Sequence, residues 1–327
     1  MCIRDSSTTM NMYVLSNAMR SLLQPGDEVI VTNQDHEANV GAWRRLAEHG
    51  MVIKEWQINA NTAELEIDDL KSLLSNKTKI VAVTHCSNIV GSINDLKAIA
   101  KLVHEYDSYI VGDGVSYAPH GFPDVKDLGV DFYAFSLYKT YGPHLGLLYG
   151  KKEILDLLPN QNHEFLEGDV PYTLNPGGPN HEELSCLIGV YEYFNNLFEH
   201  HFPGQEGSVR EKIVAVNELI AHHEMEIANP LLDYINSRDD INLIGKNQIS
   251  NKDRAPTIAF TMNNKSSKEL SSNLVKHGIA TRNDNFYAWR CLKALGIDVD
   301  DGVVRTSMVH YNTHEDVDNL ISALKKI

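Results

Sequence analysis

Apolar positions in the first half of the chain alternate between helical and strand spacing. From Thr8, the residues Met12, Val14, Leu15, Met19, Leu22 and Leu23 follow a helical period that stops at Pro25-Gly26-Asp27, and a β-branched run, Glu28 to Thr32, follows at once. The same alternation predicts a helix over 43–49, a strand over 52–58, a helix over 67–74, a strand over 79–84 and a helix over 96–106. Strands over 109–112, 131–135 and 146–149 complete the set. Strands separated by amphipathic helices predict an α/β domain with a mostly parallel central sheet and helices on both faces. Such sheets carry their ligand sites at the carboxyl ends of the strands.

After Pro176-Gly177-Gly178-Pro179 the pattern turns to long helices, over 182–198 and 209–237. Short strands over 241–244, 257–262 and 303–308 then alternate with helices over 267–277 and 315–325, the pattern of a smaller C-terminal α+β domain. This divides the chain into a large domain, 7–225, and a small one, 226–327. The opening Met1 to Ser6 reads like the translation of a transposon-end adapter used to prepare sequencing libraries. Residues 1–6 are therefore expected to be an artefact, with a native N-terminal segment missing.

Composition narrows the function. Hydrophobic residues make up 43%, and 21 glycines among 327 residues bring the total to about half, enough for a large core. The balance of 29 basic against 44 acidic residues, −15, argues against nucleic acid and against an anionic membrane surface as partners. No apolar run nears the roughly 18 residues of a membrane span and no signal-like segment opens the chain, so a cytoplasmic protein is expected. Cys2, Cys86, Cys186 and Cys291 are too scattered for a zinc site or a disulfide framework. The pairs His200-His201 and His222-His223 are adjacent rather than one helical turn apart; they read as solvated surface, and no metal site is expected.

Asp113 ends one predicted strand and Lys139 follows another, which brings a carboxylate and an amine to one sheet edge. Alone, such a pair is most often an ordinary salt bridge. Its company gives it weight: Ser136 and Thr140 flank the lysine, and His36 and Asn88 stand at the ends of two further strands. Gly114-Val-Ser116 resembles a nucleophile elbow, but Pro119, Gly121 and Pro123 oppose the helix an elbow needs. Ser136-x-x-Lys139 lacks the companion motifs of a serine β-lactamase.

Four blocks, Thr32-Asn-Gln-Asp-His36-Glu-Ala-Asn39, Thr84-His-Cys-Ser-Asn88-Ile-Val-Gly-Ser-Ile93, Gly112-Asp113-Gly114 and Phe135-Ser136-Leu-Tyr-Lys139-Thr-Tyr-Gly-Pro143, together resemble the successive motifs of class V aminotransferases, nearest the cysteine-desulfurase-like branch. The likeness runs on to Val304-Arg305 and Asn312-Thr313. It implies pyridoxal 5′-phosphate as cofactor, the fold type I architecture and a homodimer with active sites at the subunit interface. By the same resemblance Lys139 is the Schiff-base lysine, Asp113 the partner of the pyridine nitrogen and His36 the imidazole stacked on the ring. Asn88 lies near the substrate carboxylate and ring oxygen, Ser136 binds phosphate, and Thr8 and Thr9 belong to the phosphate turn. Arg305 clamps the substrate carboxylate, and Arg282 is a second such arginine.

The chain also departs from the pattern. Ser116 stands for a glutamine, Tyr138 for a histidine, and Gly178 for the threonine that reaches the partner subunit's phosphate. Tyr287 falls where desulfurases carry their nucleophilic cysteine, and Cys291 lies four residues on, in a predicted helix over 288–295. The expected function is a pyridoxal-phosphate enzyme acting on a small amino acid, without persulfide chemistry. The rivals are a true cysteine desulfurase or cysteine lyase, and a truncated inactive remnant that only dimerises.

Overall fold

The computed structural model describes residues 2–5, 7–169, 172–250 and 253–327. Seven strands form the large sheet: β1 (Cys2–Asp5), β2 (Glu28–Thr32), β3 (Val52–Trp56), β4 (Thr78–Thr84), β5 (Tyr109–Asp113), β6 (Phe132–Ser136) and β7 (Gly146–Gly150), in the spatial order β1-β7-β6-β5-β4-β2-β3. The ladders from β3 to β6 are parallel, whereas β7 runs antiparallel between β6 and β1.

Successive strand residues point to opposite faces, which sorts the core into two layers. Val29, Val31, Ile80, Ala82 and Val111 pack with Met12, Leu15 and Trp43 from the helices Thr8–Met19 and Glu37–Arg44. Ile30, Val81, Val83 and Ile110 pack with Leu70, Leu96, Ile99 and Val103 from the helices Ile67–Leu73 and Leu96–His104 on the other face. Both faces are covered, as parallel sheets require.

The helix Val209–Asn236 joins the two parts. Its 28 residues span ~42 Å, and a capping box between Ser208 and Glu211 starts it. Val216 and Ile220 meet Phe194 and Phe198 of the helix Leu187–His201. Ile227, Leu231, Leu232 and Ile235 instead pack on the small antiparallel sheet, β8 (Ile241–Leu243), β9 (Thr257–Met262), β10 (Arg282–Asp284) and β11 (Val303–Ser307), ordered β10-β11-β9-β8. A further core joins the two sheets, with Ile89 and Val90 against Ala259, Phe286, Leu292 and Val303.

The α/β architecture with a smaller C-terminal α+β unit is the one the sequence predicts. Three local features differ. Cys2–Asp5, inside the stretch set aside as artefactual, is the edge strand beside β7, a main-chain ladder that demands no particular side chains. The short strand β10 carries no apolar alternation, and the helix expected over 43–49 already begins at Glu37. Among the described residues no helix is long and apolar enough to cross a membrane.

Candidate active site

The carboxyl ends of β2, β4, β5 and β6 open on one cleft, lined by Thr8, Thr9, His36, Asn88, Asp113, Ser116, Ser136, Tyr138 and Lys139. At one end Ser7 caps the helix Thr8–Met19, its Oγ accepting the Met10 N–H at 3.2 Å, and the Thr8 and Ser136 hydroxyls meet at 2.8 Å. First-turn N–H groups of a helix lack intrahelical carbonyls and attract anions. Gly146 lets β7 run hard against this turn: a Cβ there would lie 2.3 Å from the Ser7 carbonyl carbon.

In the middle of the cleft, His36 is the N-cap of the helix Glu37–Arg44, Nδ1 accepting the Ala38 N–H at 3.0 Å. Burial, with Lys139 and Arg305 adding to it, lowers its pKa to about 4 and holds the ring neutral. Asp113, the last residue of β5, is buried and its Oδ1 accepts the Val115 N–H at 2.9 Å. Burial raises its pKa, against the pull of that N–H and of Lys139. Lys139 lies in the turn Leu137–Lys139 after β6. Burial lowers the pKa of its amine, Asp113 opposing and Arg305 reinforcing. Low-dielectric surroundings thus draw acid and amine toward their neutral forms while their mutual attraction resists.

The small sheet closes the other side. Arg305 in β11 donates from Nη1 to the Asn88 carbonyl at 2.8 Å, and its guanidinium carbon lies 3.8 Å from the Phe286 ring centroid. Burial, with Arg282 nearby, lowers its pKa to about 10. Asn88 donates from Nδ2 to the Phe286 carbonyl at 2.9 Å, and its buried Oδ1 has no partner among the described residues. Lys139, Arg305, Asn88 and Tyr138 also line a neighbouring cavity of about 270 Å³.

Two residues named from the sequence lie apart. Arg282 opposes Arg305 in the β10–β11 register, but its side chain is 75% exposed and nearest Asp284, at 3.9 Å. Gly178 lines a separate hollow with Met10 and His144. His223, read as solvated, is half-buried and meets the Asn312 carbonyl at 2.8 Å.

Phe286 and Tyr287 both occupy the left-handed region, at φ 51° and 58°, and the Tyr287 carbonyl accepts the Glu37 N–H at 2.7 Å. The Tyr287 ring is 67% exposed, 5.3 Å from that of His36. Cys291 lies in the helix Trp289–Ala294 at 0% exposure, and burial pushes its thiol up to about 12. Cys86 borders the cleft, buried and likewise raised to about 12.

Sequence reasoning passed over the supporting residues. Asp35 accepts hydrogen bonds from the Thr32 hydroxyl and from Asn39 Nδ2, and burial raises its pKa to about 7. His85 stacks on Tyr117 at 3.7 Å and meets the Tyr133 hydroxyl at 2.7 Å; burial lowers it to about 3. Both adjoin motif residues at strand ends, where side chains flanking a site residue brace it.

The sequence profile of the family described as Aminotransferase class-V matches residues 4–169 and 214–320. An aminotransferase-like protein, FGM3, of Gibberella zeae is 40% identical over 98% of this chain and 77% of its own length. A cysteine desulfurase of Yersinia pseudotuberculosis is 29% identical over 99% of this chain and 77% of its own. The crystal structure of the cysteine desulfurase CsdA from Escherichia coli superposes with a TM-score of 0.84 at 26% identity, covering 99% of this chain and 78% of that one. The chain therefore belongs to the class-V aminotransferase family of pyridoxal-phosphate-dependent enzymes, on its cysteine-desulfurase-like branch.

Proposed function

We propose that the protein holds pyridoxal 5′-phosphate at Lys139 and transforms a small amino acid at its amino group, α-carbon or β-carbon. The observation that carries this reading is the juxtaposition of a half-buried lysine and a buried aspartate at adjoining strand ends in one cleft, with the half-buried Arg305 sharing the neighbouring cavity with that lysine. The donor set fits the cofactor. The Thr8, Thr9 and Ser136 hydroxyls at a helix N-terminus suit a phosphate dianion, and the unpartnered Asn88 Oδ1 is an acceptor for a hydroxyl donor.

When bound, pyridoxal phosphate supplies an electron sink for charge at the substrate α-carbon. Asp113, made more basic by burial, holds a proton on the pyridine nitrogen. Lys139, its amine made less basic by the same cause, takes and returns the α-proton at Nζ. Arg305 binds the substrate carboxylate with a planar fork that Phe286 and the Asn88 carbonyl hold in orientation. Persulfide relay is disfavoured, because Tyr287 presents a phenol and the Cys291 thiol is buried and held protonated. A homodimer is part of the reading; Ile188 and Tyr191, exposed on the helix Leu187–His201, supply apolar surface for it.

Borohydride reduction tests the assignment. Wild-type protein incubated with pyridoxal phosphate should form an adduct on Lys139 that survives proteolysis, and Lys139→Ala should form none. An adduct of equal yield in the variant overturns it.

A further inference from the structure

The cavity shared by Lys139 and Arg305 has a far wall that the cofactor reading leaves unused. His120 lines it, with Pro119 and Tyr141 beside it. Behind the imidazole lies Glu224, from the middle of the helix Val209–Asn236, 2% exposed, its Oε2 2.9 Å from His120 Nδ1 and its Oε1 buried without a partner among the described residues. A buried carboxylate with so little compensation is costly to keep. It does one thing for the cavity: a carboxylate only accepts, so Nδ1 carries the hydrogen, and in the neutral imidazole Nε2 then presents its lone pair. Nε2 has no partner among the described residues. The neighbouring Tyr141 hydroxyl is already engaged, 3.3 Å from the Pro119 carbonyl and 3.2 Å from His310 Nδ1.

We infer that His120 Nε2 is the specificity-determining acceptor for the substrate side chain, and that the substrate is an amino acid whose side chain carries an O–H or N–H donor. Glu224 is a positioning residue that fixes the tautomer. The inference rests on the proposed function, since it takes the Arg305 side of the cavity as the place where the amino acid lies. The geometry separates substrates by one hydrogen bond: a donor finds Nε2, an acceptor-only group meets lone pair against lone pair, and an apolar isostere leaves Nε2 unpartnered in a partly desolvated wall.

The test is an absorbance titration of the cofactor-loaded enzyme with homoserine (donor), O-methylhomoserine (acceptor only) and norvaline (neither), with the thermal shift each ligand gives as a second readout. Homoserine should bind about tenfold more tightly than norvaline. His120→Phe should erase that difference. Glu224→Gln, which keeps shape and can donate its amide hydrogen to Nδ1, should move the imidazole hydrogen to Nε2 and invert the order of homoserine and O-methylhomoserine, an outcome a merely structural role would not produce. Equal binding of homoserine and norvaline by wild type, or discrimination surviving in His120→Phe, overturns the inference while the proposed function stands. Failure of wild type to form its lysine-bound cofactor band overturns both.

Discussion

Gly146→Ala should loosen the end of the cleft proposed to hold the cofactor's phosphate while leaving the opposite end alone. A Cβ on Gly146 would lie 2.3 Å from the Ser7 carbonyl carbon and 2.4 Å from the Thr8 amide nitrogen, where ordinary contact begins at 3.4 Å. The shortfall, 3.4 minus 2.3, is 1.1 Å. β7 is held by ladders on both sides, so the Ser7–Thr8 turn must give way and carry the helix start with it. Overpacking of this kind costs about 1–3 kcal/mol of stability. A helix N-terminus contributes roughly 0.3–2 kcal/mol to a nearby anion, so misaligning it should weaken phosphate binding roughly two- to thirtyfold. The assay is titration of cofactor-free protein with pyridoxal phosphate and, separately, with pyridoxal, which lacks the phosphate. The Kd for the phosphorylated form should rise while that for pyridoxal stays put, and Tm should fall. Equal weakening of both, or of neither, would refute the phosphate role of this turn.

Asp113→Asn should lower kcat roughly 10²-fold or more while changing cofactor Kd far less; a loss confined to affinity would contradict its place at the pyridine nitrogen. His36 titrates near 4 in the fold against 6.5 in the unfolded chain. Between those values only the unfolded state binds the proton, so this residue's contribution to stability is full above about 6.5 and is lost as pH falls toward 4. His36→Asn keeps an N-cap, and urea unfolding should therefore show the wild type losing more stability than the variant across that window; parallel curves would count against a neutral buried imidazole. Cysteine given to the loaded enzyme should leave no trapped persulfide on Cys291, and mass spectrometry finding one would show that the helix opens. Sedimentation with cofactor present should give twice 36.7 kDa, and a monomer at micromolar concentration would argue against the dimer.

Much of the site was legible because strand ends are. Strands β2, β4, β5 and β6 show in the sequence as apolar runs, topology alone brings His36, Asn88, Asp113 and Lys139 to a common edge, and the family likeness implies roles for them. What stayed hidden depends on contacts distant in sequence. Arg282 and Arg305 look equivalent on paper, but only packing against Phe286 and Asn88 draws one inward and leaves the other in solvent. Glu224 lies 104 residues from His120, in a helix whose polar positions look uniformly solvated until the chain folds. The helix begins at Glu37, ahead of its apolar pattern: the polar His36 and Asn39 and the small Gly41 break the apolar rhythm, although His36 itself supplies the cap.

The turn at Phe286 and Tyr287 works as a mechanical coupling. Two consecutive bulky residues in the left-handed region store about 1–3 kcal/mol each, and they persist because both carbonyls are gripped from the large domain: Phe286 by Asn88, beyond β4, and Tyr287 by the first turn of the helix after β2. The Phe286 ring meanwhile bears on Arg305. Any rotation that swings the small sheet outward must break both grips, release the strain and pull the guanidinium from its aromatic rest in one stroke. The loop is thus a pawl rather than a swinging arm: its two carbonyls and the Phe286 ring are held at once, and Arg305 is held with them. A cysteine set at 287 in this backbone would inherit the pawl's stiffness and lack the reach that carrying sulfur away from the cleft demands.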